Sequence, residues 1–359
     1  MKFFIIAFYP QIMVPYSFQY EKMIQSEGGD YDILFWDRFN TGPLEKRSNM
    51  YFFHRKCSLR GKRLKKIYPL YLFRKTVNKI IREGSYDKII VLTTLPGILI
   101  CNTLLKRYSG NFILDIRDYT YEKYVFYYAI EKKLINASYC TVISSRGFKQ
   151  FLGENDKIII NHNISNEKTI VEKSSLQDNN EFIYIGFIGL IRYYEENVKL
   201  IDSLVKNKKY RLFYAGDESD GCNLREYCAN KGYKHVLFSG EFKNSDKPSL
   251  YQRVDLINAL YGCGSLEVTT AIPNRLYDCL IFKKPIIVTA GTYLAKIVKK
   301  YKLGVVLSPM DNYERKITEY ITCFDEKCFI TNANRLLEIV MKEQDNFYRK
   351  IQCFINSEE

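Results

Sequence analysis

The chain has 359 residues, of which 47% are hydrophobic and 26% are charged, as is typical of a soluble globular protein. This length allows about two domains of roughly 150 residues each. No apolar run approaches the roughly 20 residues that a membrane-spanning helix requires. Ten scattered cysteines without a C-x-x-C pair, and only three histidines, indicate neither a zinc site nor a disulfide framework. We expect reduced cysteines in the core of a cytoplasmic protein.

The net charge of +14 is concentrated in one part of the chain. Residues 46–82, called the basic segment below, contain thirteen Lys and Arg residues and no Asp or Glu. Tyrosine and phenylalanine residues are interleaved with these cations. Basic and aromatic residues together are typical of proteins that bind membrane surfaces or nucleic acids, and a solvated basic helix is a third interpretation. The segment predicts an anionic partner.

The first half of the chain alternates short apolar runs with helical stretches. The opening residues MKFFIIAF have no small-residue cleavage site after them, so we interpret them as a buried strand and not as a signal peptide. Alternation of this kind predicts βαβ units and a doubly wound parallel sheet. The predicted elements are strand 3–8, helix 17–27, strand 32–36, the basic segment, strand 88–93, helix 97–107, strand 112–115, helix 120–135 and strands 139–143 and 157–161.

A polar stretch at 163–181 marks the predicted domain boundary, and the same alternation restarts after it. Two similar α/β halves predict a cleft between them, which is a preferred place for a ligand. The predicted elements of the second half are strand 182–187, helix 195–206, strand 210–215, helix 221–231, strands 236–239 and 254–259, helix 274–283, strand 285–289, helix 292–301, strand 304–307 and helices 312–322 and 332–351.

Two loops of the second half have residues suited to phosphate. In IGFIGLIR, the glycines Gly186 and Gly189 let the backbone approach a ligand, and Arg192 follows where a strand gives way to a helix. A helix N-terminus and an arginine both favour anions. In AIPNRLYD, Asn274 and Arg275 begin a helix near the carboxyl edge of the sheet. Both loops also have a purely structural interpretation. The first would be a surface arginine beside a glycine that is needed for packing, and the second would be a capped amphipathic helix.

The order of several segments resembles the donor-binding domain of retaining glycosyltransferase family 4. The segments are GFIGLIR, FYAGD, VLFSGEF, DLINALY, PNRLYDCLIFKKPIIVT and TYLAKIVKKYKLGVVL, with LFWDR, LDIRDY and IINHN similar to matching segments of the first domain. The resemblance covers nearly the whole chain. It implies an α/β GT-B fold, in which two Rossmann-like, doubly wound domains face each other across a cleft. The acceptor domain would span 1–165 and the donor domain 182–335, with a C-terminal helix at 336–359 packing back towards the first domain.

The resemblance also implies roles for individual residues of the donor domain. Arg192 and Lys199 would bind the donor diphosphate and stabilise it as the leaving group. Arg275 stands where relatives have a lysine beside the phosphates, and Asp278 would hydrogen-bond the ribose hydroxyls. The other residues expected at the donor are Gly189, Gly216, Asp217, Glu241 and Asn274.

In the first domain the resemblance places the acceptor beside the end of a strand. Asp115 and Asp118 are candidate catalytic residues there, and Arg117 is a candidate acceptor contact. His162 follows the last strand of this domain and is a further candidate substrate contact, the alternative being a local cap or turn.

The chain departs from the family at both of its characteristic glutamates. A Glu-x7-Glu pair would occupy positions 270 and 278, where this chain has Thr270 and Asp278. The spacing between Arg192 and Lys199 is also one residue longer than the common pattern. These departures affect the assignment of individual residues more than that of the fold.

The function that the resemblance implies is sugar transfer with retention, without a metal or another cofactor. A hexose or N-acetylhexosamine would pass from a nucleotide-diphosphate sugar to a glycan or undecaprenyl-diphosphate-linked acceptor during synthesis of bacterial capsule or O-antigen. We expect a cytoplasmic protein attached peripherally to the inner face of the cell membrane. The residues predicted to contact the anionic membrane surface are Arg60, Lys62, Arg63, Lys65 and Lys66.

Three other functions stay open: a nucleotide-sugar epimerase of the same fold, a non-catalytic GT-B scaffold and a basic nucleic-acid-binding protein. Epimerase chemistry needs several acid–base groups around the sugar, and three histidines provide few. Thr270 and Asp278 are the reason for the scaffold alternative. No known nucleic-acid-binding motif accompanies the basic segment, so we expect no nucleic acid partner.

Overall fold

The chain forms two compact units in a computed structural model that describes residues 1–57, 64–164, 176, 181–219 and 221–357. Unit 1 comprises Met1–Asn161 and Glu343–Glu359, and unit 2 comprises His162–Lys342. Each unit contains one parallel β-sheet with helices between its strands. The predicted class, two doubly wound α/β domains, is therefore confirmed.

Unit 1 contains a seven-stranded sheet in the order β3-β2-β1-β4-β5-β6-β7. Strand β1 lies in the interior of the sheet and is apolar on both faces, since all residues from Phe3 to Ala7 are buried. Such strands are typical of parallel sheets covered on both sides. The order reverses between β1 and β4, and ligands of open α/β sheets bind at such a reversal. The strands are β1 (Lys2–Ala7), β2 (Asp30–Asp37), β3 (Met50–His54), β4 (Lys88–Leu92), β5 (Phe112–Ile116), β6 (Cys140–Ile143) and β7 (Ile158–Ile160).

Two of the three helices predicted for unit 1 differ from those in the structure. The predicted helix 97–107 is a pair of helices that meet at Ile100, whose backbone is not helical (φ −110°, ψ 20°). The helix predicted over 120–135 begins only at Val125. The helices are α1 (Ser17–Ser26), α2 (Leu64–Gly84), α3 (Thr94–Leu99), α4 (Cys101–Arg107), α5 (Val125–Ala137) and α6 (Lys149–Leu152).

The described residues of the basic segment form one strand and one helix. Strand β3 was not predicted, and it pairs with β2 at the edge of the sheet. Helix α2 buries Phe73, Val77 and Ile81 on one face, so its cations are on the part of the helix that does not contact the core. Of the cations predicted to contact a membrane, Arg60, Lys62 and Arg63 lie outside the described residues. No helix in the described part of the chain is both long enough and apolar enough to span a bilayer.

Unit 2 contains a six-stranded sheet in the order β10-β9-β8-β11-β12-β13. The strands are β8 (Ile183–Ile188), β9 (Tyr210–Ala215), β10 (Val236–Gly240), β11 (Leu256–Ala259), β12 (Ile286–Thr289) and β13 (Gly304–Leu307). The helices are α7 (Tyr194–Leu204), α8 (Leu224–Lys231), α9 (Lys247–Gln252), α10 (Leu266–Thr270), α11 (Asn274–Phe282), α12 (Tyr293–Tyr301) and α13 (Tyr313–Thr322). Helices α9 and α10 were not predicted, because each is too short to show a periodic pattern.

The last helix, α14 (Glu326–Asn356), begins in unit 2 and ends in unit 1. Its final turns place Phe347, Ile351 and Phe354 in the core of unit 1. The buried ammonium group of Lys88, at the start of β4, donates hydrogen bonds to the carbonyl oxygens of Phe354 (2.5 Å) and Ser357 (2.6 Å). A cation at this position stabilises the helix because it satisfies carbonyl groups that lack intrahelical partners.

All ten cysteines have free thiols in the structure. Five of them are buried, but Cys263, Cys323 and Cys353 are exposed, so the expectation that the cysteines lie in the core is only partly right.

Buried Glu131 on α5 provides a test of the packing of unit 1. The side chain is fully buried, and burial, followed by the charge of Glu122, raises its pKa from 4.5 to about 8. The folded protein therefore holds this proton to a higher pH than the unfolded chain does. The stability that the neutral carboxyl group contributes is complete below about pH 4.5 and is lost as the pH rises through about 8.

We expect Glu131→Gln to have nearly the same thermal unfolding temperature as the parent near pH 5, and a higher one near pH 9, because the amide cannot ionise. Thermal unfolding measured across this range tests the expectation. Glu83→Gln, at an exposed position on α2, is the control and should follow the parent throughout. A constant difference between Glu131→Gln and the parent at every pH would contradict the shifted pKa.

Candidate functional site

Two glycine-containing loops meet at the carboxyl edge of the sheet in unit 2. Gly189 follows β8 with φ +129°, and Gly216 follows β9 with φ +124°. A Cβ atom on Gly216 would lie 2.2 Å from the carbonyl oxygen of Gly189, so only glycine fits. Both amides are already used, because Gly189 donates to Ala215 and Gly216 donates to Gly240. Gly216 is therefore needed for the close approach of the two loops, and neither amide is free to bind a ligand.

Arg275 lies directly beside Gly189. It is the second residue of α11 and only 5% exposed. Its Nε atom donates to the carbonyl of Ile188 (3.2 Å), and Nη1 donates to the hydroxyl of Tyr261 (2.6 Å). The guanidinium group lies 3.5 Å from the centre of the Phe187 ring. Among the described residues no carboxylate forms an ion pair with it, so this buried positive charge is not neutralised by a side chain.

A buried asparagine fixes the loop that carries Arg192. The amide of Asn197 donates to the carbonyl oxygens of Arg192 (2.7 Å) and Tyr193 (3.0 Å), and Tyr193 has a left-handed backbone (φ +62°). The carbonyl oxygen of Asn197 accepts from Asn258 on β11 (2.9 Å). Arg192 itself is exposed. The sequence analysis missed both asparagines, although a polar residue inside the apolar strand DLINALY was a signal for one of them.

The other predicted donor contacts are spread over a wider area. The Lys199 ammonium group donates to the carbonyl of Pro309 and lies 4.7 Å from the centre of the Tyr313 ring. Asn274 is exposed at the start of α11. The structure thus brings Arg275 and Gly189 together, whereas Lys199 contacts the segment that follows β13.

Asp278 is buried on α11, where a hydroxyl and an ammonium group contact its carboxylate. The hydroxyl of Tyr251 donates to Oδ2 (2.8 Å), and Lys247 lies 3.3 Å from Oδ1. Both partners belong to α9, which the sequence analysis did not predict. The position of Asp278 at the ribose stays a prediction. In the structure its carboxylate contacts Tyr251 and Lys247.

Asp217 and Glu241 are exposed neighbours that follow β9 and β10. A hydrogen bond with Asp217, and then the charge of Asp217, raise the pKa of Glu241. In the described part of the chain no three His, Cys, Asp or Glu side chains form a group that could hold a metal ion.

His162 packs against the same helix as Arg275. It is 4% exposed, and its Nδ1 atom lies 2.8 Å from the hydroxyl of Tyr277 on α11. The two rings meet edge to face. The structure therefore places His162 in the interior of unit 2, and a substrate contact by this residue stays a prediction.

In unit 1, Asp115 and Arg117 form a closed ion pair. Arg117 donates from Nε (2.6 Å) and Nη2 (2.7 Å) to the two carboxylate oxygens of Asp115, which is fully buried. Tyr20 donates a third hydrogen bond to Asp115 (2.8 Å). The guanidinium group lies 4.4 Å from the centre of the Tyr16 ring. These contacts hold the end of β5 in place, and Asp118 lies beyond them at the surface.

Asp118 lines a pocket of about 200 Å³ at the carboxyl edge of the sheet in unit 1. This cavity, called the unit 1 pocket below, lies at the reversal of strand order between β1 and β4. Its wall brings together Asp118, which was predicted as a catalytic residue, and Lys66, which was predicted to contact the membrane. Other lining residues that matter below are Arg38, Cys57, Leu70, Thr93 and Tyr121.

We expect Gly216→Ala to lower the thermal unfolding temperature of the protein markedly, because the new methyl group would overlap the carbonyl of Gly189. Gly232→Ala is the matched control, since Gly232 also has positive φ (+66°) but open space around it. The control should lose only about 1–2 kcal/mol of stability, which is the cost of a left-handed backbone for a residue with a side chain. Thermal unfolding measures both losses. Equal losses in the two variants would show that the loops separate easily.

Comparison with known proteins agrees with this architecture. Residues 166–334 match the family model described as glycosyl transferases group 1. No curated protein sequence is significantly similar to the chain. Among solved structures, sucrose-phosphate synthase from Thermosynechococcus elongatus has a TM-score of 0.69 at 13% identity, over 98% of this chain and 99% of that one.

Structures of two further proteins are similar over almost the whole chain. The lipopolysaccharide outer core galactosyltransferase WaaB has a TM-score of 0.65 at 15% identity, over 98% of this chain and 99% of that one. HepE of Anabaena in complex with UDP has a TM-score of 0.65 at 14% identity, with the same coverage. A HepE structure with UDP-glucose has a TM-score of 0.60 at 16% identity, over 98% of each chain. The chain therefore has the predicted GT-B fold of two Rossmann-like domains, and most of unit 2 matches the glycosyl transferases group 1 family.

Proposed function

We propose that this protein is a glycosyltransferase that moves a sugar from a nucleotide-diphosphate sugar to a lipid-linked acceptor. One observation carries the proposal. Arg275 is a buried cation without a carboxylate partner among the described residues, and it lies beside Gly189 at the carboxyl edge of the sheet. Anionic ligands bind at this edge in open α/β folds. The family match over residues 166–334 and the UDP complexes of HepE support a nucleotide-sugar donor.

In this proposal Arg192 and Arg275 neutralise the diphosphate. Arg192 is exposed and can move towards a ligand, whereas Arg275 is held by Ile188 and Tyr261 and offers a fixed charge. Preorganised charges stabilise a leaving group strongly, because no rearrangement is needed during the reaction. Lys199 would add a third cation once its ammonium group exchanges the carbonyl of Pro309 for a phosphate oxygen.

The remaining donor residues would surround the nucleoside. Asp278 would share its carboxylate between the ribose hydroxyls and its partner Lys247, while Asn274, Asp217 and Glu241 contact the ribose or base. We further propose that the configuration at the transferred carbon is retained, that the departing phosphate accepts the proton of the acceptor hydroxyl, and that no metal ion is required.

The acceptor would bind unit 1 at a membrane surface. Helix α2 exposes Leu64, Ile67, Tyr68 and Tyr71. The start of α5 exposes a second apolar group, Tyr124, Val125 and Phe126, the last at 87%. Residues of α2 and of the loop before α5 line the same unit 1 pocket. Exposed apolar residues mixed with cations are typical of helices that lie in the membrane interface.

This arrangement supports peripheral attachment to the inner face of the cell membrane. It also suits an undecaprenyl-diphosphate-linked glycan as acceptor, as in bacterial capsule or O-antigen synthesis, with a hexose or N-acetylhexosamine as the transferred sugar. The similarity to the lipopolysaccharide galactosyltransferase WaaB agrees with this proposal.

We expect one nucleotide sugar from a panel to raise the thermal unfolding temperature and to act as donor. At 100 times its dissociation constant a ligand adds about 2.7 kcal/mol to the stability. Arg192→Ala should then lower the transfer rate by about 100-fold or more, because the charge acts on the leaving group. Arg315→Ala, on the exposed surface of α13, should retain full activity.

If Arg192→Ala transfers sugar at more than half of the parent rate, the proposed role of Arg192 is wrong.

The same assay in excess chelator tests the proposal that no metal ion is required. Activity that is lost in chelator and restored by magnesium or manganese would contradict it. Stabilisation without transfer to any acceptor would favour the scaffold alternative.

We expect the parent protein to bind vesicles that contain phosphatidylglycerol, and to be released by salt, which screens charges within roughly 10 Å at 0.1 M. Arg74→Gln/Lys75→Gln, on the exposed part of α2, should weaken binding by about 30-fold, at roughly 1 kcal/mol per cation. Lys106→Gln/Arg107→Gln, at the end of α4, removes the same charge and should bind like the parent. Vesicle sedimentation measures the binding. Equal weakening in both double variants would show that binding depends only on the net charge of the protein and not on α2.

A further inference from the structure

Arg38 is a second buried cation without a carboxylate partner among the described residues, and it belongs to unit 1. It follows β2 and is only 4% exposed. Its Nε atom donates to the carbonyl of Cys57 (2.9 Å), and Nη2 lies 3.5 Å from the sulfur of the same residue. Within the described part of the chain, Nη1 makes no hydrogen bond. A guanidinium group with an open edge therefore lies in the wall of the unit 1 pocket.

Aromatic rings hold this guanidinium group without neutralising it. Its central carbon lies 5.0 Å from the ring centres of Phe8 and Trp36, and 5.4 Å from that of Tyr9. Rings at such distances attract a cation through their quadrupoles, but they carry no net charge. Buried charges in proteins are normally paired. The positive charge of Arg38 is thus available to an anion that enters the pocket.

Thr93, at the end of the neighbouring strand β4, is a second and independent sign of a ligand. Its backbone has φ +76° and ψ +157°, a strained conformation for a β-branched residue. Its hydroxyl oxygen is buried and has no hydrogen-bond partner in the described structure. Strain and unsatisfied polar groups concentrate at sites where a ligand binds. Thr93 and Arg38 both line the unit 1 pocket.

The size of the pocket limits what it can hold. A volume of about 200 Å³ is below the roughly 300 Å³ at which pockets for drug-sized ligands begin. The pocket therefore has room for one small chemical group. The Lys, Arg, Asp and Glu side chains in its wall are Arg38, Lys66 and Asp118, so two cations face a single acid. Guanidinium groups bind phosphate in a bidentate manner, and a threonine hydroxyl can serve a further phosphate oxygen.

We propose that the unit 1 pocket binds a phosphate group of the acceptor substrate, through the Nη1 and Nη2 atoms of Arg38 and the hydroxyl of Thr93. The inference rests on the proposed function in assigning the acceptor to unit 1. The phosphate belongs either to a polyprenyl diphosphate or to a sugar phosphate in the glycan. Both present the same chemistry to Arg38.

The test uses the full-length protein saturated with UDP, so that phosphate probes cannot occupy the donor site. Calorimetry should detect binding of inorganic phosphate, glucose 1-phosphate or a short polyprenyl diphosphate, but not of neutral glucose. Arg38→Gln should weaken phosphate binding by about tenfold or more, and Arg38→Lys by less, because the charge remains while the fork is lost. Arg55→Gln removes an exposed cation of the basic segment and should leave binding unchanged.

Equal weakening by Arg38→Gln and Arg55→Gln, or no weakening by Arg38→Gln, would overturn the proposal. A clear preference for the polyprenyl diphosphate would support the lipid as the source of the phosphate, and a preference for glucose 1-phosphate would support the glycan.

A second measurement needs no variant and is independent of the donor site. Cys57 lies beside Arg38 and lines the pocket, whereas Cys323 is exposed in unit 2. Inorganic phosphate should slow alkylation of Cys57 but not of Cys323, with or without UDP, as followed by peptide mass spectrometry. An unchanged rate at Cys57 would overturn the proposal. Slower labelling in a protein that binds no nucleotide sugar would support the phosphate site and contradict the proposed function.

Discussion

The backbone of Gly216 passes so close to the carbonyl of Gly189 that no side chain fits between them, and the candidate site of unit 2 depends on this crossing. The crossing fixes the exits of β8 and β9, which are adjacent strands of the sheet. Because Gly189 also lacks a side chain, the guanidinium group of Arg275 can lie directly over it. Asn197 then holds the following turn. Close packing of backbone thus determines where the charges of the site lie.

The three arginines that are buried in the described part of the chain differ in how their charges are balanced. Arg117 is paired with Asp115 through two hydrogen bonds, and this pair closes the end of β5. Arg275 and Arg38 lie instead on aromatic rings and donate to neutral oxygen atoms. A buried charge without a counter-ion is unfavourable. A buried arginine without a carboxylate partner therefore indicates an anionic ligand, whereas a paired arginine indicates only a structural role. Both unpaired arginines lie at the carboxyl edges of their sheets.

The apolar runs predicted the α/β class and nearly every central strand, because strands buried on both faces have a clear pattern. Strand β3 was missed, since it lies at the sheet edge and cations surround it in the sequence. The family resemblance predicted Gly189, Gly216 and Arg275 as site residues, but nothing in the sequence predicted that α9 supplies Lys247 and Tyr251 to Asp278. Contacts between residues that are distant in the chain, such as these, have no local signal. For the same reason Arg38 went unassigned, although its segment LFWDR was noted.

Lys88 also has a consequence for the order in which the chain folds during synthesis. Its ammonium group binds carbonyls 266 and 269 positions further along the chain, and Phe347, Ile351 and Phe354 complete the core around it. Contacts of such long range form late, because the intervening loop must close first. Unit 2 lies entirely within that loop. On the ribosome, unit 2 can therefore complete its core once the first half of α14 has emerged, while unit 1, which is synthesised earlier, waits for the end of that helix.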